Sequence, residues 1–296
     1  MTNTVRKILP KADLYLLSVT LIWGSTFTVT KFVLEDYSPL MLQGTRFVLA
    51  SIFVGILTWK DIKKTSAKTL RHGLILGVLL GLGFAFQTMG LETTSASNGG
   101  FLTGTLVVMV PVLQVLIERK LPNIGNIIGI LLVAVGIYFL STPSGASLGT
   151  GDILVLICAF AFALYIVMLD VYTKAAFHQE IVFYQFIVTA AIGLAFSPFV
   201  EESRLTLAAD SFGGILYLAV FASTVALFVQ SKYQRETTPT KAAIIFTMEP
   251  VFAAIIAFFW RDEVLAPIGY VGAGIMVLGL FVSELYPLVQ ERFARR

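Results

Sequence analysis

Long apolar runs separated by short polar stretches organise the whole chain. Runs near 12–34, 39–59, 71–91, 97–117 and 124–141 are followed by five more near 152–171, 180–200, 212–231, 240–260 and 266–287. Each is close to the ~20 apolar residues that cross a bilayer. Helices rather than strands follow from these lengths and from the need to satisfy every backbone amide inside lipid. The composition agrees, with 57% hydrophobic and 13% charged residues in a chain of 296, against roughly 25% charged in an ordinary soluble domain. So few charges cannot cover a soluble fold, so the outer surface is expected to face hydrocarbon. Arg6, Lys7 and Lys11 ahead of the first run imitate a secretory signal. That run continues to Leu34 without a small-residue cleavage site, so it reads as a retained first span.

Basic residues accumulate on the cytoplasmic side of alternate loops. The N-terminus, the 60–71 loop, Arg119 and Lys120, Lys174, the 232–241 loop and the C-terminal tail hold about seventeen of them, and the opposite loops only Arg204 and Arg261. Both termini are therefore expected in the cytoplasm. The net charge of +3 is small and its cations are scattered, so nucleic acid is not an expected partner. Cys158 is the only cysteine, and His72 and His178 are the only histidines. An intrachain disulfide is excluded, and neither a metal nor a cofactor is expected.

The halves resemble each other at a spacing of about 140 residues. Asp13 and Asp152 open the first helix of each half, Glu92-Thr93-Thr94 matches Glu236-Thr237-Thr238, and Glu118 matches Glu263. Chance likeness between apolar helices is the alternative on these residues alone. With five spans per half, an odd number, the second half enters the membrane upside down. The expected fold is an all-α integral membrane protein of ten transmembrane helices, arranged as two inverted five-helix repeats over 12–141 and 152–287. Such a repeat creates a site near the midplane that either half can close.

The stretch Leu21–Phe47, with Trp23 and Gly24, Lys31, Pro39, Arg46 and Phe47, resembles the opening signature of EamA-type transporters in the drug/metabolite transporter superfamily. Leu91–Leu102 with Pro111 resembles the fourth-helix signature, and Lys241–Phe252 its second-repeat counterpart ending in Glu-Pro. Asp262 and Glu263 followed by Gly269 and Gly272 resemble the closing helix. The resemblance spans nearly the whole chain and implies a ten-helix carrier of small organic solutes, often outward, in a bacterial inner membrane. It also implies a cavity lined by the first four helices of each half, with the fifth and tenth left for packing or a homodimer. One departure is that Ala159–Asp170 lacks the Trp-Gly pair, which puts the symmetry of the two gates in question.

Glu249 lies roughly 13 Å into the ninth helix, where an acid costs around 2.5–3.5 kcal/mol unless it faces a cavity, finds a cation or is protonated. It reads either as a substrate or proton site or as a structural, hydrogen-bonded acid. Pro250 beside it removes a helix hydrogen bond, exposing a carbonyl to the pathway or kinking the helix for packing. Arg46 reaches to within about 6 Å of the same depth. A contact between the two across the repeat interface is one reading, and snorkelling or helix packing of Arg46 the more ordinary one. Lys31 and Asp170, equivalent at an offset of 139, are candidates for gates or a charge pair, or else headgroup-level charges. Trp23 and Gly24, both mid-helix, are expected on a cavity wall. Gln43, Gln87, Asn98, Tyr165, Gln185 and Gln230 supply uncharged polar groups, some for the passage and others for holding helices together. Gly73, Gly77 and Gly81, like Gly125 and Gly129, read as packing ridges.

These residues favour a secondary transporter working by alternating access on a small-molecule substrate within the lipid bilayer. No Walker-type glycine loop is present, so ATP hydrolysis by that route is excluded and a gradient must supply the energy. Glu249 is a candidate proton carrier, and facilitated diffusion or exchange fits equally. The rival readings are a non-transporting receptor or scaffold, and an intramembrane enzyme. The latter needs a nucleophile with a base, clustered acids or paired histidines, none of which is visible.

Overall fold

A computed structural model describes residues 10–141, 149–175, 179–206, 208–261 and 266–294. His178, Asp262 and Glu263 lie outside these described residues. Within them, nine helical stretches are long and apolar enough to cross a membrane, and a shorter apolar helix covers Ile124–Leu140. Numbered by span, they begin with α1 (Lys11–Val33), α2 (Pro39–Ile62) and α3 (Ala67–Thr93). Next come α4 in two pieces (Ala96–Gly104 and Leu106–Glu118) and α5 (Ile124–Ser141). The second half comprises α6 (Thr150–Ala175), α7 (Glu180–Val200), α8, α9 in two pieces (Pro239–Phe246 and Glu249–Arg261) and α10 (Pro267–Ala294). α8 runs through Ala209–Tyr217, a π-helical stretch Leu218–Val225, and Ala226–Tyr233. The expected all-α, ten-helix membrane architecture is the one the chain adopts.

Short polar caps start these helices, as an apolar run entering lipid requires. Ser66 Oγ accepts from Thr69 N at 3.1 Å to start α3, and Ser95 Oγ from Asn98 N at 3.1 Å to start α4. Thr238 Oγ1 accepts from Lys241 N at 3.2 Å to start α9. Each satisfies an amide that the first helical turn leaves unpaired. Arg119 ends α4 with the only positive φ of a non-glycine residue among the described residues, 56°.

Four packing pairs hold the bundle: α2 against α7, α3 against α6, α3 against α7, and α5 against α10. Small residues let their backbones touch. A Cβ on Gly193 would stand 2.6 Å from the amide nitrogen of Gly44, so α2 and α7 meet backbone to backbone. The ridge of Gly73, Gly77 and Gly81 lies in the same way against Tyr184, Gln185 and Ile192 of α7. The main apolar core, including Phe47, Leu76, Phe186 and Ile244, crosses from one half to the other, and a second cluster gathers around Tyr37, Leu42 and Ile215. Large apolar side chains such as Ile56, Leu57, Leu116 and Phe199 point outward, as a lipid-facing surface permits.

The repeat is written most clearly in the breaks of α4 and α9. α4 is interrupted at Thr105, whose N–H falls back to Leu102 O at 3.2 Å and whose hydroxyl bonds the same carbonyl. α9 is interrupted at Thr247 and Met248, where Met248 N–H falls back to Ile245 O at 3.0 Å and the Thr247 hydroxyl bonds Ile244 O at 2.6 Å. Pro250, with no N–H to donate, comes immediately after. Two helices broken at matching points of the two halves are the usual builders of a midplane site.

Candidate functional site

Between the broken helices lies a cavity of about 70 Å³, room for a few waters. α1 contributes Trp23 and Thr26, α2 Arg46, α3 Leu80, Phe84 and Gln87, and α4 Thr103 and Leu106. From the second half come Phe162, Tyr165 and Ile166 of α6, Leu227 and Gln230 of α8, and Phe246 and Glu249 of α9. None of the lining residues belongs to α5 or α10, nor to α7. Trp23, Arg46, Gln87, Tyr165, Gln230 and Glu249 therefore share one chamber although they come from six helices.

Arg46 and Glu249 are the only charged groups on this wall. The direct contact considered between them is not formed; Arg46 is held by helix packing, the other reading of its depth. Its Nε donates to Ser223 Oγ at 2.7 Å, and its guanidinium lies 4.6 Å from the Phe84 ring centre and 5.3 Å from that of Phe47. Two aromatic faces take the place of a counter-ion and hold the cation by its planar face. Arg46 is 2% exposed, and its Nη2 has no hydrogen-bond partner. Glu249 heads the second piece of α9, half-buried, where a helix N-terminus favours negative charge. Its carboxylate takes part in none of the ion pairs among the described residues.

Nothing in the apolar pattern announces the π-helical stretch of α8, and it organises one wall. Trp23 Nε1 donates to Ala222 O at 3.0 Å, Ser223 receives Arg46, and Ser25 bonds the Tyr217 hydroxyl at 2.7 Å. Extra backbone length in such a bulge redirects carbonyls and side chains, which is why these elements recur at functional sites. Ser223 looks in the sequence like any small residue of an apolar helix, and no spacing rule picks it out. Phe84 and Phe162 are indistinguishable by sequence among 24 phenylalanines.

The other candidates take different places. Gln43 is buried away from the chamber, donating to Gly81 O at 3.1 Å and Thr189 O at 3.0 Å, so it joins α2, α3 and α7. Gln185 accepts from the Tyr165 hydroxyl at 3.3 Å behind the wall. Asn98 occupies the first turn of α4, with its amide on the Ser95 cap. Gly24 does not line the cavity; a Cβ there would stand 2.9 Å from Ala253 N and 3.1 Å from Glu249 O, so it lets α1 approach the break of α9. Pro250 is likewise off the wall and shapes the break itself.

Lys31 finds its counterpart in Lys174 rather than in Asp170. The caps Ser95 and Thr238, and the breaks at Thr105 and Thr247, set the structural offset a few residues longer than the one read from Lys31 and Asp170. Lys31 Nζ donates to Leu91 O and Thr94 O, both at 2.9 Å, tying the end of α1 to the end of α3, just before α4. Lys174 Nζ donates to Thr237 O at 2.9 Å, tying the end of α6 to the start of α9. Asp170, buried, adds an ion pair to Lys174 at 2.8 Å. The opposite helix ends obey the same rule: Asp152 accepts from the Thr94 hydroxyl, and Asp13 meets Lys241 at 2.8 Å. Lys241 also meets Glu284 of α10 at 2.8 Å. Polar ties thus join helix ends at both ends of the bundle. Among the described residues, no group of three or more His, Cys, Asp or Glu could hold a metal.

Ten apolar helices around an internal chamber that carries an arginine and a glutamate describe a multi-pass membrane protein. The sequence pattern of the EamA-like transporter family matches twice, over residues 10–142 and 149–285, and the chain belongs to that family. A protein of Archaeoglobus fulgidus named as an uncharacterized transporter is 34% identical over 275 residues, covering 93% of this chain and 86% of its own. The uncharacterized inner membrane transporter YedA of Escherichia coli K12 is 26% identical over 288 residues, covering 91% and 89%. A solved crystal structure superposes with a TM-score of 0.77 over 94% of this chain and 98% of its own, at 14% identity, which speaks to fold alone.

Proposed function

We propose that this transporter is a secondary carrier that moves small dipolar organic solutes by alternating access, holding them between Arg46 and Glu249. One observation carries the reading: an arginine and a glutamate, from different halves, face one chamber without pairing with each other. Keeping charges in a low-dielectric interior is costly unless a partner arrives. A solute with an anionic group for Arg46 and a cationic or hydrogen-bond-donating group for Glu249 supplies both partners at once. The Phe84 and Phe162 rings and Trp23 then cover its apolar part.

The chamber as described is far smaller than the roughly 300–1,000 Å³ of ordinary ligand sites. Loading therefore requires one half to swing aside, releasing either the Lys31 tie or the Lys174 tie. The skew of basic residues supports both termini in the cytoplasm of an inner or plasma membrane, and the family resemblance supports net movement outward. In this reading Glu249 carries the proton of a coupled cycle. α5 and α10, which pack on each other outside the chamber, are the faces left for a second copy.

The test is counterflow of labelled metabolites in proteoliposomes, with Glu249→Gln beside the parent chain, with and without a pH gradient. The expected result is saturable counterflow for one solute class, at least tenfold weaker in the variant. Absence of flux for every solute points to a receptor or scaffold, and flux without saturation to a channel. Full gradient-driven uptake by Glu249→Gln removes the proton role from this residue.

A further inference from the structure

We infer that a second site, remote from the chamber, binds an anionic phospholipid of the leaflet that the basic loops face. A pocket of about 590 Å³ opens where α3 begins and α6 ends, lined by Ala67, Lys68, Arg71, His72, Ile75 and Tyr172. No acidic residue lines it. Lys68 and Arg71 are exposed and take part in none of the ion pairs among the described residues. Two such cations in one concavity call for an anion, and Arg presents a planar fork suited to phosphate oxygens. The floor is rigid: the His72 ring stacks on Tyr172 at 4.0 Å and 5°, joining α3 to α6 beneath the cations.

The apolar surface running on along α3 makes the anion a lipid. From Arg71 the same helix face continues through Ile75, Val78 and Leu82, spaced by three or four residues, so that these side chains form one stripe. Val78 and Leu82 are 44% and 38% exposed. At 1.5 Å per residue the stripe is about 16 Å long, the depth of one leaflet's hydrocarbon. A headgroup phosphate on Lys68 and Arg71 thus leaves an acyl chain lying along apolar surface, an arrangement that a free phosphate cannot use.

The experiment measures by electron spin resonance the relative association of spin-labelled phosphatidylglycerol and phosphatidylcholine with the full chain in phosphatidylcholine vesicles. Phosphatidylglycerol should be favoured, and Lys68→Ala and Arg71→Ala should each reduce that preference about fivefold, from about 1 kcal/mol per cation near the surface. Lys68→Arg and Arg71→Lys should keep most of it, which separates loss of charge from loss of fold. Lys60→Ala with Lys64→Ala, removing two charges from the end of α2 and the loop after it, should change it less than twofold. Equal association of both lipids, or an equal loss in the loop variant, overturns the site. Displacement of the labelled lipid by millimolar inorganic phosphate assigns the pocket to a free anion and overturns it too.

Discussion

The two halves of the molecule share a backbone plan but not a chemistry. In each, a threonine breaks the fourth helix, a Ser or Thr caps it, and a lysine at the end of the first helix ties down the loop before it. The chamber's charges do not repeat. Glu249 heads the second piece of α9, where Leu106 holds the matching place in α4. Arg46 falls opposite Val188 and Thr189 of α7, and Trp23 opposite Ile166. In the proposed carrier, motions that exchange the two sides would depend on the shared backbone, because both closed states must be of nearly equal energy. Recognition of its solute would depend on the unshared side chains.

The largest effect expected from that contrast is on Arg46. Arg46→Gln should weaken solute binding about ten- to a hundredfold, the loss of a charge-assisted hydrogen bond of roughly 1.5–3 kcal/mol. Thr189→Val at the opposite place should leave affinity unchanged, because Thr189 bonds Gly77 O and Gln185 O within the helix packing and does not reach the chamber. Apparent affinities from counterflow check this. Equal losses in the two variants break the assignment of recognition to one half.

Gly24 sharpens the comparison at a smaller scale. A methyl group there meets the α9 backbone at 2.9 Å, and overpacking of this kind costs about 1–3 kcal/mol. Gly24→Ala should lower the melting temperature and also the affinity, since α9 carries Glu249 and would be pushed away. Val167, the matching residue of α6, is fully buried. Val167→Ala should cost about 1–2 kcal/mol, from two lost methyl groups, with affinity intact. Melting curves and counterflow on the same preparations separate the two outcomes.

Much of this plan is legible in the chain. Span number and the repeat come from apolar run lengths and from Glu-Thr-Thr recurring before a broken helix, both local signals. The chamber is legible where a residue is costly in lipid: Arg46, Glu249, Trp23 and the buried amides announce themselves by depth. The illegible part depends on direction. Gln43 and Gln87 look alike in the sequence, yet one helix face turns Gln43 to the α7 backbone and the other turns Gln87 to the chamber, where it reaches Thr103 at 3.4 Å. The Arg46–Glu249 contact fails for a similar reason. Depth along the membrane brings the two close, but the lateral position of α8, with its π-helical stretch, supplies Ser223 first. The pairing of Lys31 with Asp170 fails because short insertions shift the register between halves, and only the caps and breaks set it.

The two lysine ties give the finest test. Lys31 donates only to carbonyls, whereas Lys174 donates to a carbonyl and also neutralises a buried acid. Lys31→Met removes two hydrogen bonds at the membrane edge, where water takes over part of the loss, so the cost should be about 1 kcal/mol or less. Lys174→Met removes one such bond and strands Asp170, which has no exposure of its own. Because Lys174 is itself 37% exposed, solvent screens the pair and the extra cost is held to about 1 kcal/mol. Asp170→Asn should then rescue most of the Lys174→Met defect while doing nothing for Lys31→Met. Melting temperatures of the three single and two double variants measure this. Rescue of both defects alike would mean that Asp170 acts on the whole bundle, and the two ends of the chamber would then differ less than their contacts indicate.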